Sequence, residues 1–431
     1  MAVIDKKNRF LALTNVNFRK LLFCKFLMVS AIIIQEVSIS YYIYIQTRNP
    51  LSLGLIGLAE AIPFIALVLI GGYSADRCSK KKTMTKFFWV LLLTSTSLLI
   101  SNLEMFADLI PQYLKLLLCY CAIFIYGSCR AFISPAIDAL RIFVLDRNQF
   151  DNAATWWSTA WQSGSIISPG IAGIVLGAFG FSASLSITVF LLLFALLISY
   201  RIVEPEASSM PQLKSKDFLG DIKQGLSYVF KTKIIFYAIS LDLFSVLFGG
   251  VVAILPIYAE EILQVGPKGF GLLRMAPSIG AVIALGIMIF YSPNNKPWRN
   301  LLLAVSGFGV FILIFGVSET MWISLLALFL AGASDSVSVV IRFNILQVMA
   351  PEGMRGRVHS INSIFLSSSN EIGAFESGVM AKLLGTVQSV VFGGLACLGV
   401  VGLIFWKSKD LFSMRFDDDD DGDKNTKNLA Q

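Results

Sequence analysis

Histidine is almost missing from this chain: His359 is the only one among 431 residues. That removes most histidine-based metal sites and nearly every catalytic scheme built on an imidazole. Charge is scarce too, at 15% of residues, where an ordinary soluble domain carries about 25%. Six cysteines are present, Cys24, Cys78, Cys119, Cys121, Cys129 and Cys397, but no C-x-x-C pair is among them. Cys119 and Cys121 fall on different faces of a helix, which argues against a shared metal and for reduced thiols packed as small hydrophobes. No G-x-x-x-x-G-K-[ST] phosphate loop occurs, so ATP binding of that kind is excluded. The first twenty residues hold Lys6, Lys7, Arg9, Arg19 and Lys20. They are too polar for a secretory signal, and no small-residue cleavage site follows. Neither a metal nor an organic cofactor is expected.

Apolar sequence is abundant. Hydrophobic residues make up 56% of the chain, with 34 phenylalanines, and they fall in blocks close to the roughly 20 residues that a bilayer-spanning helix needs. The blocks predict an all-α membrane protein with twelve transmembrane helices, at about 20–46, 52–75, 84–102, 113–138, 154–178, 182–202, 233–257, 268–291, 300–318, 321–345, 360–384 and 386–406. The formal charge of +7 reads as a topology signal, not as a nucleic-acid surface. Alternate loops carry Lys80, Lys81, Lys82 and Lys86, then Arg141 and Arg147, Lys214 to Lys233, Lys296 and Arg299, and Arg355 and Arg357. The opposite loops hold few cations beyond Arg48, Lys268 and Lys382. Positive residues stay inside, so both termini are expected in the cytoplasm of a bacterial cell, with the chain in its inner membrane.

The longest polar stretch, 203–232, divides the chain into an N-terminal six-helix bundle (1–202) and a C-terminal one (233–406), with a short surface helix expected from Phe218 to Val229. Residues 407–431 form an acidic low-complexity tail read as solvated and disordered. Its Asp run lacks the glycine spacing and terminal Glu of a calcium loop.

Two motifs are specific. Gly72-Tyr73-Ser74-Ala75-Asp76-Arg77-Cys78-Ser79-Lys80-Lys81 lies between the second and third spans. It resembles the G-x-L-A-D-R-x-G-R-R loop of the major facilitator superfamily, with Ser74 and Ser79 in place of Leu and the second Gly. The resemblance implies two six-helix bundles working by alternating access, with Gly72 allowing close helix approach. It also implies that Asp76 accepts from a helix N-terminus, and that Arg77, Lys80 and Lys81 act with them as a conformational latch. Gly164, Pro169, Gly170 and Gly173 in the fifth span resemble the antiporter motif G-x-x-x-G-P-x-x-G-G, with Ser168 and Ala172 as departures. That motif favours export. Asn49-Pro50-Leu51, Leu53-Gly54-Leu55 and Gly57, Ser134-Pro135-Ala136, Met354 to Val358, and Ser369-Asn370-Glu371 through Gly378 are similar to the enterobactin-exporter and macrolide-efflux group.

Ionisable residues cost roughly 2.5–3.5 kcal/mol each near the centre of a membrane helix and mark function by default. Glu36, Asp242 and Asp335 lie on helices one, seven and ten, which line the cavity in the fold that the resemblance implies. A carboxylate in low dielectric takes up a proton readily, so these three are the first candidates for proton coupling or for binding a cationic group. Arg130 and Arg342 are candidates for binding an anion bidentately, or for pairing with Asp138 and Asp335. The Arg342–Asp335 pairing is preferred because the two residues lie seven apart on one helix face. Glu371 and Glu376 make the eleventh span the most polar of its half, so it should face protein or water. Trp156, Trp157 and Trp161, at the cytoplasmic start of the fifth span, read first as an interfacial belt, with Trp161 deep enough to stack on a ligand ring.

These readings converge on a transporter and not an enzyme, since no cluster of catalytic groups is present. The expected partners are a small-molecule substrate, protons and the lipid bilayer, without nucleic acid, and a monomer is expected. Proton-coupled export of a siderophore or drug is the leading function. Import of a siderophore or a lysolipid on the same fold is the alternative.

Overall fold

The computed structural model describes residues 10–103, 105, 109–204, 218–291, 293–351 and 354–413. The acidic run and most of the central linker therefore lie outside the described residues. Within them the chain is helical throughout: α1 (Val16–Thr47), α2 (Pro50–Arg77), α3 (Lys80–Ser101), α4 (Gln112–Phe143), α5 (Phe150–Tyr200), α6 (Phe218–Lys231), α7 (Lys233–Phe248), α8 (Gly266–Phe290), α9 (Pro297–Val317), α10 (Met321–Met349), α11 (Arg355–Leu384) and α12 (Thr386–Lys407).

Among the described residues ten helices are long and apolar enough to cross a membrane. The 51-residue α5 is one of these and supplies two crossings. It breaks at Gly180, whose φ of 80° lies in the left-handed region that glycine tolerates. With α5 counted twice these make eleven crossings, the one from Lys233 to Ile262 among them, and α11 brings the total among the described residues to twelve. α11 falls short on apolarity because Ser369, Asn370, Glu371, Glu376 and Ser377 interrupt it. Gly385, at φ 98°, separates α11 from α12. All backbone polar groups of a crossing must be satisfied inside it, which is why helices alone appear here. Large apolar side chains such as Leu93, Phe190, Ile289 and Leu303 point outward. That is unsuited to water and suited to lipid.

The sequence placed one α-helix over 233–257. The structure instead ends α7 at Phe248 and continues through a 3-10 turn (Val251–Ile254), a short helical turn (Leu255–Ile257) and a π turn (Tyr258–Ile262). Gly249 and Gly250 mark the break. A Cβ on Gly250 would stand 2.8 Å from the Gly373 carbonyl oxygen of α11, so glycine lets the two backbones touch. The linker helix, expected from Phe218, is present as α6.

Contacts divide the chain into two compact units. One comprises Met1–Arg48, Leu58–Met210 and Gly266–Met275, and the other Asn49–Gly57, Pro211–Val265 and Ala276–Gln431. In the first, α1 runs along α5, and α3 packs on α4 and α5. Its core holds Phe18, Leu21, Met28, Met84, Phe88, Ile137 and Leu192. α1 starts cleanly because the Asn15 side chain accepts from the Asn17 and Phe18 amides at 2.9 and 3.1 Å. In the second unit, α9 packs on α10 and α12, and α11 on α7 and α12. Its core is built on Ile235, Trp298, Leu301, Ile345 and Val401. The Trp298 indole nitrogen, fully buried, donates to Ser408 Oγ at 3.0 Å.

Candidate functional site

Six of the intramembrane charges form three ion pairs, and not as their spacing on single helices suggests. Arg342 forms an ion pair with Asp242 of α7, whereas the preferred partner from sequence was Asp335 on its own helix. The pair is sealed, with side chains 2% and 6% exposed. A cross-helix partner wins because a fully buried guanidinium needs a carboxylate facing it, and Asp335, two turns away along α10, does not reach. Asp335 is half-buried and, among the described residues, makes no ion pair. Arg130 likewise pairs with Glu60 of α2 at 2.5 Å, not with Asp138, and its guanidinium lies 4.7 Å from the Phe64 ring centre.

Glu36 pairs with Arg274 of α8. This pair is more open, with side chains 32% and 18% exposed. Two further contacts hold the same stretch of α8. Tyr41 stacks on Phe270 with ring centres 5.7 Å apart. A Cβ on Gly173 would come within 2.6 Å of the Pro267 carbonyl oxygen and 2.8 Å of Gly271 Cα. The fifth-span glycine motif thus has a visible use. Gly164 lies against Val29 of α1, Gly170 against the Met275 side chain, and Gly173 against the Pro267–Gly271 backbone, while the Pro169 carbonyl faces Gly271. Small residues let these backbones approach closely.

On α11, Glu371 and Glu376 are half-buried. The Glu371 carbonyl and Gly378 receive the start of α2: a Cβ on Gly57 would lie 2.6 Å from the Glu371 oxygen, and one on Gly54 3.1 Å from Gly378 Cα.

The loop motif lies at the end of α2 and the start of α3. At Gly72 no described atom comes within 4 Å of where a Cβ would stand. The close helix approach expected there belongs to Gly71, whose Cα faces the Ala131 backbone of α4. The side chain of Asp76 lies outside what is described. Arg77 lies over Tyr73 at 4.5 Å and Lys80 over Phe143 at 4.8 Å. Lys81 Nζ donates to the Tyr200 carbonyl at 2.9 Å.

Sequence reasoning missed two residues here. Glu204 caps α3: its carboxylate accepts from Ser79 Oγ and from the Lys80 and Lys81 amides, the latter two at 2.9 and 3.3 Å. An anion at a helix N-terminus satisfies free amides and opposes the dipole. Glu204→Ala is expected to cost about 1 kcal/mol, read as a fall of about 1–2 °C in melting temperature for a chain of this size. Unchanged melting would mean that the cap contributes nothing. The second residue is Lys25, buried in the N-terminal third of α1. A lysine inside the run Leu21–Met28 was the available signal. Its ammonium lies 5.4 and 5.5 Å from the ring centres of Trp157 and Trp161.

Comparison with known proteins follows the same line as the geometry. A family model described as Major Facilitator Superfamily matches residues 21–374. The chain is 23% identical over 401 residues to the enterobactin exporter EntS of Escherichia coli O127:H6, covering 91% of each. It is 24% identical over 399 residues to the enterobactin exporter EntS of Shigella flexneri, again covering 91% of each. Among solved structures, a mutant of the nucleoside transporter NupG superposes with a TM-score of 0.72 at 13% identity, covering 92% of this chain and 100% of that one. A D-xylose-proton symporter gives 0.70 at 13%, covering 94% and 100%. At these identities the structures share a fold, and nothing more is carried across.

Proposed function

The chain belongs to the major facilitator superfamily, and from that premise we propose that this multi-pass membrane transporter exports a small amphipathic molecule, a siderophore of the enterobactin kind or a drug, in exchange for protons. Both termini are cytoplasmic in this reading, as the positive residues of the alternate loops require, and the membrane is the bacterial inner membrane.

The observation that carries the coupling part is the contrast between two ion pairs. Asp242–Arg342 is closed on every side, so neither charge can exchange with water, and its role is to hold α7 to α10. Glu36–Arg274 is partly open, and it ties α1 to the one stretch of α8 that also meets Tyr41 and Gly173. Protonation of Glu36 removes its charge and its hold on Arg274. The α8 segment then keeps the Tyr41–Phe270 stack and its contacts with Gly170, Gly173 and Gly177, and these release without breaking a charge pair. Loss of the proton restores the tie. A carboxylate so placed links proton binding to a helix movement, which is what alternating access requires. Asp335 is the second candidate, because no cation among the described residues neutralises it.

The relatives named as enterobactin exporters support the choice of substrate to try first. In a host lacking its own enterobactin exporter, expression of this chain is expected to restore enterobactin to the culture supernatant, measured by mass spectrometry. A protonophore should abolish that release, and Glu36→Gln should reduce it at least about tenfold. A supernatant unchanged by expression would set aside enterobactin, and uptake of added compound into the cells would reverse the assigned direction.

A further inference from the structure

We propose that the transporter has a cytoplasmic recognition site for anionic aromatic molecules, a cavity of about 500 Å³ lined by Lys25, Asp138, Arg141, Trp157, Ser158 and Trp161. The proposal rests on the transport reading and names the chemical class that the protein takes up from the inside.

The site lies wholly within the first compact unit, where the N-terminal third of α1, the end of α4 and the start of α5 meet. Its charge is positive. Lys25 and Arg141 bring two cations, and Asp138 is the one carboxylate lining it. Asp138 also accepts from the Trp157 indole nitrogen at 3.0 Å. Arg141 lies 5.3 Å from the Trp157 ring centre, so that ring has a cation near it from each of two helices.

Lys25 is the decisive residue. It is 7% exposed, and a buried ammonium is costly unless its surroundings compensate. Two indole faces compensate in part, because their quadrupoles attract a cation, and the Asp138 carboxylate adds an attraction that Arg141 opposes. They leave the ammonium's three N–H donors suited to an anion arriving from the cavity. Trp161, 49% exposed, keeps one ring face on which a flat molecule can stack, and Ser158 adds a hydroxyl. The combination of a fixed cation, a second cation and an open indole suits a planar ring that bears a negative charge. A neutral ring would use only the stacking surface, and a cationic one would meet Lys25 and Arg141.

The test is equilibrium dialysis of the purified full-length protein against three probes of one shape: 2-naphthoate, 2-naphthamide and 2-naphthyltrimethylammonium. Expected is binding of the naphthoate at least about tenfold tighter than the amide, the value of a charge-assisted contact, with the cation weakest. Lys25→Gln should bring the naphthoate-to-amide ratio near one while amide binding persists, and Lys25→Arg should preserve the ratio. Trp161→Leu, at a half-exposed position, should weaken both by about tenfold. No preference for the anion in the wild type, a preference retained by Lys25→Gln, or wild-type binding by Trp161→Leu would each overturn the site. Should Lys25→Gln fail to elute as a single species, the wild-type charge series and Trp161→Leu decide. Dialysis reads binding alone. Binding as expected with no export in cells would therefore sink the transport reading and leave the site standing, while export with no anion preference would do the reverse.

Discussion

Replacing Asp242 with Asn is expected to destabilise the protein by about 3–5 kcal/mol, the usual result of leaving one member of a buried ion pair alone. The Arg342 side chain is 2% exposed and lies in the C-terminal third of the membrane helix α10. With its partner neutral, the guanidinium has neither water nor a carboxylate to face. Purified yield and melting temperature should both fall sharply. Removing both charges together, as Asp242→Leu with Arg342→Met, leaves no uncompensated ion and fills similar volume. That double variant should recover most of the lost stability, and because the pair is sealed it should also keep transport. A single variant that melts like wild type would show that the pair stabilises nothing. A stable double variant that no longer transports would move Asp242 and Arg342 into the coupling machinery.

The second large effect is expected at a glycine. Gly271→Leu should reduce transport at least about tenfold while the protein still inserts and purifies. A Cβ on Gly271 would lie 2.6 Å from the Pro169 carbonyl oxygen and 2.9 Å from Gly173 Cα, so even the first carbon of a side chain has no room. Overpacking of this kind costs about 1–3 kcal/mol. Here it falls on one helix contact and not on a core, so it should bias the protein against the arrangement in which α5 and α8 touch, without unfolding it. A transporter that must visit that arrangement in each cycle slows accordingly. Gly286, on the same helix, has no described atom within 4 Å of a Cβ position, so Gly286→Leu serves as the control and should transport normally. Equal activity of the two variants would mean that the α5–α8 contact is not part of the cycle.

Most of the fold was legible from the sequence because lipid imposes a strict length and an apolar composition on each crossing. The breaks at Gly180 and Gly385 fall where the apolar blocks divide, between 178 and 182 and between 384 and 386. The polar character of α11 was legible too, through Asn370, Glu371 and Glu376. The broken end of α7 was not, because Gly249 and Gly250 sit in an unbroken apolar run and their need arises from the neighbouring α11 and α9.

The site was half legible. Glu36, Glu60, Arg130, Asp242, Arg274 and Arg342 all stand out as charges in apolar sequence, and the structure engages every one in an ion pair. Who pairs with whom is a property of helix packing, which spacing along one helix does not contain. Arg342 therefore looked nearest to Asp335. Lys25 was hidden for a different reason. It stands in the apolar run Leu21–Met28, which marks it as unusual but names no partner, and only the tertiary structure brings Trp157 and Trp161 around it.

The claim that Glu36 couples protons to substrate movement is tested most directly in proteoliposomes that hold the purified protein, an internal pH indicator and an imposed pH gradient. Addition of enterobactin on the side facing the cytoplasmic loops is expected to speed collapse of the gradient with wild type, and not with Glu36→Gln. A gradient that decays equally fast in both, or that ignores the substrate in wild type, would contradict it.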